Sequence, residues 1–147
     1  MAIEEGKLDE AEASFRRMEE IYRSVYSGKH YLIGVAEANR ASVYMEKKEY
    51  PRAEALYRDA LRVYADTLPP DHQNVGIGRV KLGRALLREK RYADAQAETS
   101  AGYEILIKKA DASNVWLKNA REDLVSEYTA LDRPELAAKF RSELAKQ

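Results

Sequence analysis

Two histidines, one row of cations and many carboxylates are the residues here whose types could do chemistry. His30 and His72 are the only histidines. A histidine serves as a general base or a metal ligand when it stands in a dedicated setting. These two instead lie forty-two positions apart in the same setting, ahead of Ile33-Gly34 and of Val75-Gly76. A periodic copy points to a shared role at a helix start, not to catalysis. There is no cysteine, so thiolate nucleophiles and thiolate metal sites are excluded. No nucleophile elbow, phosphate-binding glycine loop or metal-spaced histidine pair is present, and no cofactor is expected. Gly76-Ile77-Gly78 reads as close helix packing. The carboxylates pair locally: Glu12 with Arg16 and Glu54 with Arg58 are four apart, a helical spacing worth roughly 0.2–0.5 kcal/mol per pair. Lys81, Arg84 and Arg88 fall at steps of three and four. On a helix they form one basic strip, suited to carboxylates or phosphate on a peptide.

The elements that carry these residues repeat every forty-two positions. Leu8, Tyr50, Tyr92 and Pro134 keep that spacing, and each is followed three residues on by an alanine: Ala11, Ala53, Ala95 and Ala137. Such a period marks stacked supersecondary units that bury their apolar faces against neighbours. Apolar spacing predicts seven helices, near 8–26, 30–47, 50–66, 72–89, 92–109, 113–130 and 133–146. In the third, Ala53, Leu56, Tyr57, Ala60, Leu61 and Tyr64 make one stripe. No strand is expected. Pro69 and Pro70 stop one helix, and Asp71 is expected to cap the next. Asp111 or Ser113 is expected to cap the last unit, with Asn114 at the histidine position. Each unit's inner turn carries Gly6, Lys48, Lys90 or Asp132 at one place, expected to be left-handed.

At 147 residues, 45% apolar and 34% charged, the chain can build a core and a solvated exterior. Twenty-five basic and twenty-five acidic residues cancel, which argues against a general nucleic-acid binder. No apolar run is long enough for a membrane span and no signal peptide is legible; the absence of cysteine fits the expectation of a cytoplasmic protein.

Within each unit the spacing resembles the tetratricopeptide repeat, two antiparallel helices (A, then B) with small residues at their crossing. The second full unit reads Leu82-Gly83, Leu86, Ala95, Gly102; the first reads Ala41, Tyr44, Ala53, Tyr57, Ala60. The long period and Leu68-Pro69-Pro70-Asp71-His72-Gln73-Asn74-Val75-Gly76 are similar to the kinesin-light-chain subtype. The resemblance implies an all-α, right-handed α-α superhelix of about three and a half repeats. It is expected as one array over 1–147: a half repeat 1–28, then repeats 29–69, 70–110 and 111–147. The opening on a B-type helix, with Ile3 and Leu8 unpartnered, looks like a fragment of a larger bacterial multidomain protein. A polar final helix with Lys139 and Arg141 suits a terminal cap.

The resemblance also implies a non-enzymatic interaction scaffold, holding an extended peptide or partner helix in a concave groove lined by A helices. By register the wall includes Val35, Ala38, Asn39 and Ser42, then Ile77, Val80, Lys81, Arg84 and Arg88, then Asn119 and Asp123. The binding residues expected are Val35, Asn39, Ser42, Ile77, Lys81, Arg84, Arg88, Asn119 and Asp123, with an acidic protein or peptide as partner. Of the family's ladder of asparagines only Asn39 is kept, with Lys81 and Asp123 at the equivalent places. Trp116, outside the repeat pattern, reads as a wedge between helices. The alternative is a structural spacer or self-association module, including a homodimer through the exposed terminal helix.

Overall fold

The computed structural model describes residues 2–109, 111 and 114–146. Among them are seven helices and no strand: α1 (Ala2–Val25), α2 (Tyr31–Glu46), α3 (Tyr50–Thr67), α4 (Gln73–Arg88), α5 (Tyr92–Lys109), α6 (Val115–Ala130) and α7 (Pro134–Ala145). None of the described helices is long and apolar enough to cross a membrane. The helices fall into two compact units, residues 1–70 and 71–147. In the first, α1 packs on α2 and α2 on α3; in the second, α4 packs on α5, α5 on α6, α6 on α7 and α4 on α6. The helix bounds agree with the sequence expectation except at the N-terminus. There α1 runs straight through Gly6, which is helical and not a turn.

The A helices are α2, α4 and α6, and each begins in the same way. His30 Nδ1 accepts from the Leu32 N–H at 3.1 Å, and His72 Nδ1 from the Asn74 N–H at 3.0 Å. Asn114 Oδ1, at the equivalent place, accepts from the Trp116 N–H at 2.8 Å. Each side chain satisfies one of the N–H groups that a helix start leaves without a partner. A ring that accepts at Nδ1 must carry its proton on Nε2. The periodic histidines are thus caps. Asp71 was expected in this role, but pairs with Lys109 at 3.0 Å. Ser113 lies outside the described residues, as does the Ile3 side chain.

The A-to-B turns are equally regular. Lys48, Lys90 and Asp132 have φ of 61°, 64° and 57°, the left-handed conformation expected of them. Around each, two backbone bonds close the helix end. The N–H of Lys48 reaches the Met45 carbonyl and that of Glu49 the Tyr44 carbonyl, and the same pair recurs at Lys90 and Asp132. Ser27, also at positive φ, was not foreseen.

Small residues set the distance between A and B helices. Ala41, Ala53 and Ala95 are fully buried and Ala60 nearly so. Gly76 faces Gly102 across the α4–α5 crossing. A methyl group on Gly102 would stand 2.6 Å from the Gly76 carbonyl oxygen and 2.9 Å from the Val80 nitrogen. At Gly83 it would collide with the Thr99 hydroxyl. Backbone therefore touches backbone there, and any side chain would push the pair apart.

Two outcomes follow for stability. His72→Asn should keep the melting temperature, whereas His72→Ala should lower unfolding free energy by about 0.5–2 kcal/mol in denaturant titration. Lys48→Gly should raise the melting temperature, because a side chain at that φ is strained by roughly 1 kcal/mol.

Candidate protein-interaction faces

The A helices carry all nine residues expected to bind. On α2, Val35 and Asn39 are half-buried, and Asn39 makes no side-chain hydrogen bond among the described residues. Ser42 is turned inward: its hydroxyl bonds the Ala38 carbonyl at 3.1 Å and meets the Tyr57 hydroxyl of α3 at 3.0 Å. Its polar atom is used inside the helix pair. Ala38 is buried too, at 5% exposure, so it belongs to packing and not to an open wall.

On α4 and α6 the residues come together. Arg84 forks onto Asp123, with Nε to Oδ2 at 3.0 Å and Nη2 to Oδ1 at 3.1 Å. This charge-assisted pair ties α4 to α6. Burial pushes the Asp123 carboxyl up, opposed by its bonds to Arg84. Lys81 lays its ammonium over the Trp116 ring, 4.7 Å from the centroid, a cation–π contact. Burial pulls the Lys81 ammonium down, and among the described residues no carboxylate pairs with it. Arg88 is exposed and makes no ion pair among the described residues. Asn119 is half-buried, on the same helix as Asp123.

Three features correct the sequence expectation. The basic strip is not three free cations, because Asp123 neutralises Arg84. Val80, expected in the wall, is fully buried in a cluster with Leu106, Leu117 and Ala120. Ile77 packs against that cluster beside Trp116 and Tyr103, which confirms Trp116 as a wedge and leaves Ile77 at the rim.

Sequence reasoning missed two buried carboxyls. Glu127 is fully buried; Thr99 donates to its Oε2 at 2.9 Å, and its Oε1 has no partner. Burial first, then nearby Asp123, push it up to about 8, with Thr99 and Arg84 pulling the other way. Glu37 is 3% exposed, with Oε1 unbonded and the Arg23 guanidinium 3.8 Å away. Burial and Glu19 push it up to about 7. The only sequence signal was position: Glu127 occurs where Val43 and Ala85 stand in the two earlier repeats. Arg40 occurs where Leu82 and Leu124 stand later. Its guanidinium bonds Glu19 of α1 at 2.6 Å, so an ion pair replaces an apolar contact.

Antiparallel helix pairs with small-residue crossings, repeated at a fixed period, define a helical-repeat protein. The tetratricopeptide repeat model matches residues 1–66 and 32–108, so the chain belongs to the tetratricopeptide repeat family. Among solved structures it is similar to the nearly identical kinesin-light-chain TPR-like repeats of Podosopora anserina, at TM-score 0.81 and 17% identity for a substituted form. A second structure of those repeats gives 0.80 and 16%. BtubC (BKLC) from P. vanneervenii gives 0.84 and 16%. Each covers 96% of this chain, which spans 66%, 67% and 56% of theirs in that order. The fold is thus of the kinesin-light-chain-like kind. No curated protein matches the chain.

A raised carboxyl pKa fixes the sign of a pH effect. Between about 4.5 and about 8 the unfolded chain has lost the Glu127 proton while the folded chain keeps it, so stability falls as pH rises through that window. Glu127→Gln, which can still accept from Thr99, should unfold at a higher temperature than the parent at pH 8. The two should converge near pH 4. Parallel melting curves across the series would contradict the assignment.

Proposed function

We propose that this chain is a non-enzymatic scaffold holding an extended peptide or a partner helix on an A-helix face, in keeping with the protein–protein interaction that tetratricopeptide repeats generally mediate. The main contact would be the α4–α6 face of the second unit. The observation that carries this reading is Lys81, a half-buried ammonium that rests on the Trp116 ring and meets no carboxylate among the described residues. A cation taken partly out of water without a carboxylate has lost solvation that a ligand anion would restore. Arg88, one helical turn beyond Arg84, adds a second charge without a partner among the described residues. The Arg84–Asp123 bridge holds the two helices in place between them. An acidic peptide is the partner that suits this arrangement, with Asn119 and the rim of Ile77 as further contacts on the same unit.

This assignment selects the clean variant. Arg84→Glu would leave the Asp123 carboxylate buried and repelled, so lost binding could reflect unfolding at a cost of about 3–5 kcal/mol. Lys81→Gln with Arg88→Gln removes both charges and leaves the bridge intact. In a screen against a library of acidic peptides, the double variant should bind the selected peptides at least ~tenfold more weakly, about 1.4 kcal/mol. Its helicity by circular dichroism should be unchanged. Equal binding by both forms would remove the α4–α6 face from consideration.

A further inference from the structure

Asp123 and Glu127 lie four residues apart on α6, so their carboxyls share one side of the helix. Both are buried, at 6% and 0% exposure. One cation serves the two. Arg84 of α4 commits Nε and Nη2 to Asp123. It also acts on Glu127, where Asp123 acts in the opposite sense. Glu127 accepts from Thr99 of α5 at Oε2, and its Oε1 is buried and unbonded. The Thr99 hydroxyl in turn fills the space over Gly83, where a methyl group would stand 2.2 Å from it. Gly83 directly precedes Arg84, so α4, α5 and α6 meet beside the bridge. Among the described residues no charged group of α5 or α7 acts on Glu127, while Arg88 of α4 and Glu122 of α6 act on Asp123.

We infer that Glu127 is a proton-operated control on the α4–α6 face: neutral, it leaves Arg84 to Asp123; ionised, it draws the guanidinium from that bridge. The effect on binding rests on the reading of this face as a peptide site, whereas the movement of Arg84 does not. Charge balance gives the reason. With Glu127 neutral, the buried cluster holds one guanidinium and one carboxylate. Loss of the proton adds a second carboxylate one turn from the first, and one of its oxygens is buried without a donor. Arg84 is the cation that acts on it, and neighbouring side chains on a helix face are only about 5–6 Å apart. As the guanidinium shifts, Asp123 loses its partner while still buried, and the tie between α4 and α6 loosens. Lys81 and Trp116 join the same two helices one turn and two turns away, so the binding groups move with the bridge. The sign follows from the direction of the shift. Burial holds the Glu127 proton up to about 8, so the face keeps its binding form below that pH and loses affinity above it. Burial also pulls the Lys81 ammonium down. Its loss of charge acts in the same direction, so a variant must separate the two.

The nitrogen NMR signal of Arg84 Nε reads the bridge without any ligand. In the parent it should shift with a midpoint near about 8, and in Glu127→Gln it should stay constant over that range. If the glutamine form folds poorly, Glu127→Val, carrying the residue at the equivalent place in α2, serves the same end. Acidic peptides selected on the parent one unit below that midpoint should bind at least ~fivefold more weakly one unit above it, the low end of coupling between two sites. Glu127→Gln should lose at most ~twofold, the part due to Lys81. A constant Arg84 signal in the parent, or an equal loss of affinity in both forms, would overturn the inference. Loss of helicity by circular dichroism over the same range would overturn it too, because the unit would then be opening and not exchanging one bridge. If no acidic peptide binds at either pH, the peptide reading fails, while the Arg84 titration still decides whether Glu127 commands the bridge.

Discussion

The distance between helices at their crossings is the constraint on which the rest depends. Gly76 and Gly102 bring the backbones of α4 and α5 into contact, and Gly83 meets Thr99 with no room for a methyl group. In the first unit Gly34 lies against the Tyr64 ring and the Ala60 carbonyl, with Ala41, Ala53 and Ala60 closing the pair. Close approach fixes the angle at which each B helix leaves its A helix. That in turn decides which face of the A helix is left for solvent. Val80 is consumed by this packing, while Lys81, one residue on, is carried to the edge of it. The site and the core are neighbouring registers of one helix.

Around that apolar frame the chain repeatedly places an ionisable group where its own repeat has hydrocarbon. Arg40 takes a leucine position and meets Glu19. Glu127 takes an alanine or valine position and is received by Thr99, which stands where Tyr57 stands one repeat earlier. Replacing apolar pairs by buried polar ones seldom adds stability. It does make each contact between successive helices different from the others, so that one repeat cannot exchange places with another. The Arg84–Asp123 bridge belongs to the same set and also shapes the face proposed to bind.

The fold was legible because it is periodic. One period gave the helix order, the helix-start role of His30 and His72 and the left-handed residues at Lys48, Lys90 and Asp132, though the cap itself was expected of Asp71. Each of these is a local property that a repeat prints several times. Gly6 misled because a glycine permits a turn without requiring one, and α1 continues through it. The site was legible in its helices but not in its partners. Helical stepping put Lys81, Arg84 and Arg88 on one strip, yet it could not show that Asp123, thirty-nine residues on, neutralises the middle cation. Nor could it show which wall positions the B helices cover, as at Ala38, Ser42 and Val80. Pairings between helices depend on the crossing distance, which no single helix encodes.

That distance can be tested with one pair of glycines of equal chemistry and opposite setting. Gly6 is helical with open space where a Cβ would go, whereas Gly102 faces the Gly76 carbonyl. Chemical denaturation of Gly6→Ala and Gly102→Ala should therefore move in opposite directions. The first should gain up to about 1 kcal/mol from helix propensity, and the second should lose about 1–3 kcal/mol to overpacking. A Gly102→Ala protein as stable as the parent would contradict backbone contact at the crossing, and with it the register that assigns every face described above.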